Sequence, residues 1–262
     1  MAFRVLVMSP LHQTGSSVAS ALVAQALTYA NRSVTLAYTD AASLLPKYLG
    51  IKHQNDPTRS IMQVARLIQS QALDDNDILD YTVEYAKNVH LMSFNDAALN
   101  ERDSANIIKH VYTHVPTDIC VVDGSDDIDT TITKNLISLS DLVFIVVTPS
   151  RKDFARLQYW LDGVALSKHP NVCVIINHYD DAIDSLRNMA KTIGMSANRV
   201  CKIHSNPFIR KLCLTGKFAE IVPYVKGLDP RVASLSCDLK ELTQCVISTS
   251  AVMGKYSQED FL

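Results

Sequence analysis

Short apolar segments rich in β-branched residues alternate with longer segments of helical periodicity along this chain. Strand patterns occupy Arg4–Met8, Ser33–Tyr38, Val89–Ser93, Ile119–Val122, Leu142–Val147, Val172–Ile176 and, as an edge strand, Arg199–Ile203. Helical patterns occupy Ser16–Ala30, Ser60–Gln71, Asp77–Ala86, Ser104–Thr113, Thr130–Leu139, Asp153–Ser167, Ala182–Ile193, Pro207–Thr215 and Pro230–Thr249. This alternation is typical of βαβ units. It predicts an α/β fold, with a mostly parallel, twisted sheet of about seven or eight strands and helices on both faces.

The composition is that of a single globular domain. Hydrophobic residues make up 47% of the 262 residues and charged residues 20%, which excludes an intrinsically disordered chain. No run approaches the roughly 18 apolar residues of a membrane-spanning helix, and the N-terminus continues into a strand pattern instead of a signal sequence. We therefore expect a cytoplasmic protein without stable membrane insertion, with one domain over residues 1–252 and a frayed tail over 253–262.

Charge and cysteine content narrow the function classes further. The formal net charge is −2, so the chain lacks the overall positive charge of a protein that coats nucleic acid or acidic lipid. Its six cysteines are dispersed without a C-x-x-C spacing, and Cys120 and Cys173 lie inside apolar strand patterns. Buried free thiols are therefore favoured over disulfides or a cysteine metal site.

The turn after the first strand pattern has the placement of a phosphate-binding loop. Residues 9–17 read Ser-Pro-Leu-His-Gln-Thr-Gly-Ser-Ser and connect a strand to a helix. In such loops, backbone N–H groups and the helix N-terminus bind phosphate oxygens, a hydroxyl binds Mg²⁺ and a lysine neutralises phosphate charge. Taken alone, the segment would be explained better as an ordinary β-loop-α turn.

The same segment resembles the deviant Walker A loop of the ParA/MinD family of P-loop ATPases, which reads Lys, two Gly, any residue, Gly, Lys and then Thr or Ser. Aligned with that pattern, Gly15 and Ser17 match the later glycine and the hydroxyl that binds Mg²⁺. Leu11 replaces the signature lysine, Ser16 replaces the P-loop lysine, and the two paired glycines are absent. The loop is thus similar to a degenerate Walker A loop.

Five other segments resemble landmarks of that family in the correct order, which favours the family's fold. They are Asp40 with Leu44–Gly50, Val121–Gly124, Ser140–Ser150, Val172–Asp180 and Lys202–Pro207. In the family these are the strand-end aspartate with its leucine segment, the Walker B-like strand, the Thr-Pro-Ser stretch, the strand that ends in an adenine-reading asparagine, and the adenine-side loop.

The resemblance implies a role for each candidate site residue. Ser17 and Asp123 would serve Mg²⁺, and Asp40 would orient the attacking water. Asn177 would read the adenine edge, because an amide both donates and accepts hydrogen bonds. The other nucleotide-binding candidates are Gly15, Ser16, Ser17 and Pro207. Plainer interpretations stay open, since aspartates at strand ends suit helix caps and an asparagine suits a turn. A metal site made of His12, His178 and His204 is a further alternative.

The missing lysines decide which chemistry is expected. Serine at position 16 cannot neutralise charge on the β- and γ-phosphates, and side chains at positions 12 and 13 narrow the backbone's approach to phosphate. The resemblance therefore implies weak binding of ATP and Mg²⁺ or none, in a pseudo-ATPase that serves as a localisation or assembly scaffold. Gly15–Ala19 is similar to the loop ending of the CpaE/TadZ branch, which positions pilus machinery. A homodimer with a protein partner from a positioning, pilus or secretion system is expected.

Two other functions remain open at this stage. An active ATPase would need a substitute cation, such as Arg151, Lys152 or a cation supplied by another protein. A DNA-segregation protein would need a basic patch, for which Arg210, Lys211 and Lys217 are candidates. The near-neutral net charge disfavours nucleic acid as a partner.

Overall fold

The fold is built on one eight-stranded sheet. The computed structural model describes residues 2–40, 43–51, 63–64, 66–67, 70–72, 74–93 and 101–254. Its strands are β1 Phe3–Met8, β2 Val34–Tyr38, β3 Val83–Ala86, β4 Val89–Ser93, β5 Ile119–Asp123, β6 Leu142–Val147, β7 Val172–Tyr179 and β8 Val200–His204. Their order is β3-β4-β2-β5-β1-β6-β7-β8, and every neighbouring pair is parallel except β3 with β4. The predicted α/β fold with a mostly parallel sheet is confirmed.

Helices connect the strands and several begin at a side-chain cap. Among the described residues they are α1 Ser16–Tyr29, α2 Leu45–Tyr48, α3 Glu101–His114, α4 Thr131–Leu139, α5 Arg151–Asp162, α6 Val164–Ser167, α7 Leu186–Thr192, α8 Pro207–Thr215, α9 Ile221–Lys226 and α10 Ala233–Val252. Thr130, Ser150, Ser185 and Asn206 each accept a backbone N–H of the first turn that follows. None of the described helices is both long enough and apolar enough to cross a bilayer.

Both faces of the sheet are covered, because its central strands are almost continuously apolar. Every residue of β2 and β6 is buried. Successive side chains of a strand point to opposite faces, so Phe144 lies in one core and Ile145 in the other. Residues of α1 and α10 pack in the first core, and residues of α3, α4, α5 and α7 pack in the second. Because both faces of the sheet are covered by apolar side chains, polar side chains gather at the ends of the strands.

The predicted helix Asp77–Ala86 is wrong. The chain forms a 3-10 helix over Asp75–Tyr81 and then β3, which pairs antiparallel with β4. The turn between the two strands contains Asn88, whose φ of 62° is a left-handed conformation that asparagine tolerates. Pairing with β4 therefore overrides the local helical pattern.

Several predicted helix boundaries also shift. The helix predicted over Asp153–Ser167 is divided at Gly163 into α5 and α6. The helix predicted over Ala182–Ile193 is confined to α7, because the chain enters it through the cap at Ser185. The predicted helix Ser60–Gln71 and tail 253–262 lie largely outside the described residues. The edge strand predicted from the sequence is β8, at one end of the sheet.

The cysteines differ in burial. Cys120, Cys173, Cys201 and Cys213 are buried, Cys245 is half-buried and Cys237 is exposed. The prediction of buried thiols is therefore confirmed for four cysteines and wrong for Cys237, which is exposed. The Sγ atoms of Cys173 and Cys245 lie 3.5 Å apart, where α10 packs on the sheet. Both thiols act there as small apolar side chains.

An ion pair joins β1 to β6 near the amino ends of the strands. Arg4 Nη2 lies 3.2 Å from Asp141 Oδ1, and Asp141 Oδ2 accepts the Arg4 backbone N–H at 2.8 Å. Asp141 is buried. Its charge is thus compensated by a guanidinium and a backbone donor.

Candidate functional site

The candidate residues lie at the carboxyl ends of the parallel strands, where ligands bind in open α/β sheets. The loop Ser9–Gly15 follows β1, which lies between β5 and β6. Asp40 follows β2, Asp123 ends β5, and Asn177 lies near the end of β7. Pro207 begins α8 after β8, three strands from β1. All of the predicted site residues therefore share one edge of the sheet.

The loop contains two residues in the left-handed region. Gln13, which aligns with the second glycine of the Walker A pattern, has a φ of 64°, and Gly15 has a φ of 85°. A left-handed conformation costs a residue with a Cβ atom about 1–2 kcal/mol. Because Gln13 bears this cost, the surrounding structure imposes the turn even where the glycine has been replaced.

Hydroxyl groups of the loop hold it in shape. Ser9 Oγ accepts the Leu11 backbone N–H at 3.3 Å and the Thr14 hydroxyl at 2.7 Å. It also donates to the Leu11 carbonyl oxygen at 2.9 Å. Ser9 and Thr14 are both buried. The loop is thus organised by its own side chains, and the Leu11 N–H is already hydrogen-bonded.

Asn177 fixes the loop from the neighbouring part of the sheet. Its Nδ2 donates to the Thr14 carbonyl oxygen at 2.7 Å, and the side chain is buried. Gly15 packs on the same amide, since a Cβ atom at Gly15 would lie only 2.3 Å from Asn177 Nδ2. The contact in the structure is therefore with the loop backbone, and the reading of an adenine edge by Asn177 stays a prediction.

Replacing Gly15 with alanine is expected to lower the free energy of unfolding by about 2 kcal/mol, because strain at positive φ adds to the clash with Asn177. Gly194→Ala is the matched control. Gly194 has a φ of 71° but no atom within 4 Å of its Cβ position, so only the conformational cost of about 1 kcal/mol should appear. Urea denaturation followed by circular dichroism measures both losses. Equal losses would contradict the packing argument.

Asp123 is a buried carboxylate whose charge is poorly compensated. Its Oδ1 accepts the Ser20 hydroxyl at 3.0 Å, and the Ser17 hydroxyl is close enough to lower its pKa. In the part of the chain that the structure describes, no cationic side chain pairs with Asp123. Burial raises its pKa from 3.8 to about 6; the two hydroxyls oppose this rise and the Asp40 carboxylate adds to it. A cation at this point would relieve the cost of the buried charge.

The structure brings Ser17, Asp40 and Asp123 together. Asp40 is exposed just beyond β2, close enough to Asp123 to act on its pKa. Ser16 is the half-buried first residue of α1, next to Ser17. Pro207 is exposed and stands apart, at the first position of α8. The metal-side candidates and Asn177 thus gather at the loop, whereas Pro207 lies away from it, after β8.

The histidine metal site considered from the sequence does not form. His12 Nε2 lies 2.8 Å from Asp126 Oδ2, in the segment that follows β5. His204 is instead held between two other carboxylates, with Nδ1 2.8 Å from the buried Asp238 and Nε2 3.1 Å from Asp181. Throughout the described ranges, no group of three or more histidine, cysteine or acidic side chains could hold a metal ion.

Sequence reasoning missed three residues that shape the site. Ser20 lies three positions after Ser17, on the same face of α1, and this spacing was a readable signal. The contact between Ser9 and Thr14 had no such signal, because it forms only once the loop turns back on itself. These residues organise the loop and the carboxylate rather than add charge.

Solved structures of ParA and MinD proteins share this architecture. A ParA family ATPase from Chlorobium tepidum TLS has a TM-score of 0.70 at 17% identity, with 94% of this chain and 99% of that chain covered. The septum site-determining protein MinD from Pyrococcus horikoshii OT3, solved with Mg-ADP, has a TM-score of 0.71 at 15% identity, with 98% and 100% covered. This chain has the ParA/MinD fold. No protein-family model and no curated protein matches the sequence.

The resemblance found in the loop and strand-end segments is thus confirmed at the level of the ParA/MinD fold. A further structure of this fold is a putative plasmid partition protein from Borrelia burgdorferi B31 bound to AMPPNP, with a TM-score of 0.65 at 16% identity and 98% and 100% covered. The Pyrococcus horikoshii and Borrelia burgdorferi structures thus hold nucleotides.

The residues at this end of the sheet fit the Mg²⁺ part of a nucleotide site better than they fit the phosphate part. Ser17 and the buried Asp123 provide oxygen atoms of the kind that Mg²⁺ prefers. The phosphate half fits poorly, because neither Leu11 nor Ser16 carries a charge and the Leu11 N–H is already bonded. Within the ParA/MinD fold, this edge suits a cation better than it suits a triphosphate.

Proposed function

We propose that this chain is a degenerate ParA/MinD-type protein that acts as a localisation or assembly scaffold, with weak ATP binding or none and slow hydrolysis at best. One observation supports the proposal most strongly. The loop after β1 lacks both lysines and is held in shape by the Ser9 and Thr14 hydroxyls. The loop is therefore held by its own side chains and carries no lysine that could neutralise phosphate charge.

The charges at the edge support the same conclusion. A P-loop lysine stabilises charge on the transferred phosphate and contributes on the order of several kcal/mol in the transition state. Ser16 supplies no charge, while Asp40 and Asp123 bring negative charge toward the same point. His12 is paired with Asp126. A triphosphate would therefore meet these carboxylates without the two lysines that offset them in an active relative.

Residual nucleotide binding would use the residues that remain. Gly15 and Ser16 would present backbone N–H groups to phosphate at the start of α1. Ser17 and Asp123 would hold Mg²⁺, which would neutralise phosphate charge when bound. Asp40 would orient water. Asn177 and Pro207 would lie on the side of the base.

A scaffold of this type acts through other proteins. MinD from Aquifex aeolicus, which shares this fold with a TM-score of 0.68 at 15% identity, was solved in a complex with MinC. By analogy we propose a homodimer that recruits a protein of a positioning, pilus or secretion system, as in the CpaE/TadZ branch. A cytoplasmic location goes with this role.

An active ATPase with a substitute cation is the second candidate. Arg151 and Lys152 are exposed at the start of α5, directly after β6, and β6 neighbours β1. This placement favours them over other cations as lysine substitutes. A DNA-binding role is favoured less, because Lys217 Nζ lies 3.8 Å from Glu220 Oε1, which partly neutralises one of the three candidate basic residues.

Calorimetric titration with ATP and Mg²⁺ tests the scaffold proposal. We expect a dissociation constant of about 100 µM or weaker, since the lysine contacts are missing. Phosphate release is measured in parallel for the wild type, for Asp40→Ala and for the double variant Arg151→Ala/Lys152→Ala. The scaffold requires rates near background in all three.

Two results would overturn the scaffold proposal. One is binding at micromolar strength or tighter. The other is sizeable phosphate release that Asp40→Ala abolishes, which supports the ATPase. In that case, loss of release in the double variant would identify the substitute cation.

A further inference from the structure

A histidine at the end of β8 joins three parts of the fold. His204 is the last residue of that strand. Its Nδ1 lies 2.8 Å from Oδ1 of Asp238, which is fully buried on α10. Its Nε2 lies 3.1 Å from Oδ2 of Asp181, which is exposed in the segment between β7 and α7. One imidazole ring therefore connects the edge strand to α10 on one side and to a surface segment on the other.

These two contacts require two protons on the ring. A carboxylate oxygen only accepts hydrogen bonds, and a neutral imidazole has a single N–H group. Asp238 Oδ2 also accepts the His204 backbone N–H at 2.8 Å, which holds this carboxylate against the ring. Carboxylates that face both ring nitrogens match the imidazolium form, in which both nitrogens donate. The geometry therefore favours a positively charged His204.

The groups that surround the ring favour the same form. Burial by itself lowers the pKa of His204, but the hydrogen bonds to Asp238 and Asp181 outweigh burial and raise this pKa above its ordinary value of 6.5. Lys202, on the same strand, acts in the opposite direction. The ring of Tyr179 on β7 contacts the imidazole edge-on, with centroids 5.2 Å apart, and a tyrosine carries no charge at neutral pH. The ring therefore gives up its second proton above pH 6.5.

The two contacts differ in what their loss would cost. Asp238 has no exposed surface, and an uncompensated charge there would be strongly destabilising. The side chain of Asp181 is 72% exposed, so water can replace its hydrogen bond at little cost. A ring with one proton left should therefore keep its bond to Asp238 and release Asp181. The Ser205 backbone N–H still donates to the Tyr179 carbonyl oxygen at 3.1 Å, which keeps β7 and β8 joined.

We propose that His204 is a proton-dependent latch, which in its imidazolium form fastens the segment between β7 and α7 to the end of β8 and releases this segment when the ring loses a proton. The latched ring holds its proton more tightly than the open ring. Latching is therefore strongest below pH 6.5 and is lost as pH rises through the pKa of the latched ring. The latch does not depend on nucleotide, because no nucleotide-binding candidate takes part in it.

Histidine NMR titration of the full chain, from about pH 5.5 to about pH 9, tests the protonation of the latch. The His204 ring should titrate with a midpoint above pH 6.5 in the wild type. Asp181→Asn should lower this midpoint by about 0.5 to 1, because a neutral amide replaces one of the two carboxylates. His204 is identified by sequential resonance assignment and by the loss of its signal in His204→Gln.

Asp180→Asn is the matched control. Asp180 is exposed beside Asp181, and its Oδ1 accepts the Ala182 backbone N–H at 2.9 Å. Asparagine can accept the same bond, so this variant removes an equal charge one residue away from the latch. The midpoint of His204 should match that of the wild type. Equal shifts in Asp180→Asn and Asp181→Asn would overturn the proposal, as would a wild-type midpoint at or below pH 6.5.

Amide hydrogen exchange, followed by mass spectrometry, tests the release of the segment. Protection of residues 180–185, corrected for the intrinsic effect of pH on exchange, should fall by up to about tenfold between about pH 6 and about pH 8.5. In Asp181→Asn the protection should change less with pH, because the exposed carboxylate is absent. Wild-type protection that does not change with pH would contradict the latch, whatever the ATP titrations show.

Discussion

Replacing Ser16 with lysine is expected to raise the affinity for ATP and Mg²⁺ about 100-fold, because a charged donor adds roughly 2–3 kcal/mol to a contact with phosphate. Position 16 opens α1 and is half-buried beside Ser17. Lysine is a good helix former, so the fold should tolerate it. This gain in affinity is expected only if the backbone N–H groups of the loop can still bind phosphate oxygens. Titration calorimetry with ATP and Mg²⁺ measures it.

Ser16→Met is the control for this gain, because methionine is long and flexible but carries no charge. Its affinity for ATP should match that of the wild type. Adding Leu11→Lys to Ser16→Lys should not reverse the gain. An unchanged affinity in folded Ser16→Lys protein would mean that the loop does not bind phosphate, and the assignment of Gly15 and Ser17 to a nucleotide would fail with it.

Asp123→Asn is expected to raise the free energy of unfolding at about pH 7.5 by as much as about 3 kcal/mol. Asp123 is buried with a pKa of about 6, against 3.8 for an ordinary aspartate. The native state therefore binds more protons than the unfolded state between these two values. Wild-type stability should fall as pH rises from about 4 to about 6, and the loss is complete above that range.

Asparagine at position 123 resembles the protonated carboxyl group, so the variant should lack this part of the pH dependence. Denaturant unfolding at several pH values between about 4 and 8 measures the difference. The wild type and Asp123→Asn should have similar free energies of unfolding near about pH 4, and the difference between them should be largest near neutral pH. A variant that is less stable than the wild type at neutral pH would contradict an uncompensated charge at Asp123.

Asp141→Asn is the matched control, because Asp141 is also buried but is paired with Arg4. Removing a compensated charge should destabilise the protein, by about 3 kcal/mol for a buried pair.

Mg²⁺ provides a second check. It should stabilise the wild type at neutral pH and leave Asp123→Asn unaffected, since a ligand that binds only the native state raises its stability.

Most of the architecture could be predicted because its signals are local. Continuous apolar runs such as Leu142–Val147 identify buried parallel strands, and helical periodicity between them identifies the crossovers. Because Asp40 and Asp123 each follow or end a predicted parallel strand, the sequence alone places both at the carboxyl ends of the strands. β3 escaped prediction because its four residues are defined by pairing with β4 rather than by a pattern of their own.

The sequence by itself determined the α/β class, the order of the strand-end landmarks and the absence of lysine at positions 11 and 16. Only the tertiary structure decided that Asn177 binds Thr14, a residue 163 positions away, and that Asp123 is buried with no cationic partner among the residues that the structure describes. The reason is physical. The periodicity of apolar residues is a property of the sequence itself. A pKa or a hydrogen bond depends on distances and on the exclusion of water, and these arise only when distant segments pack together.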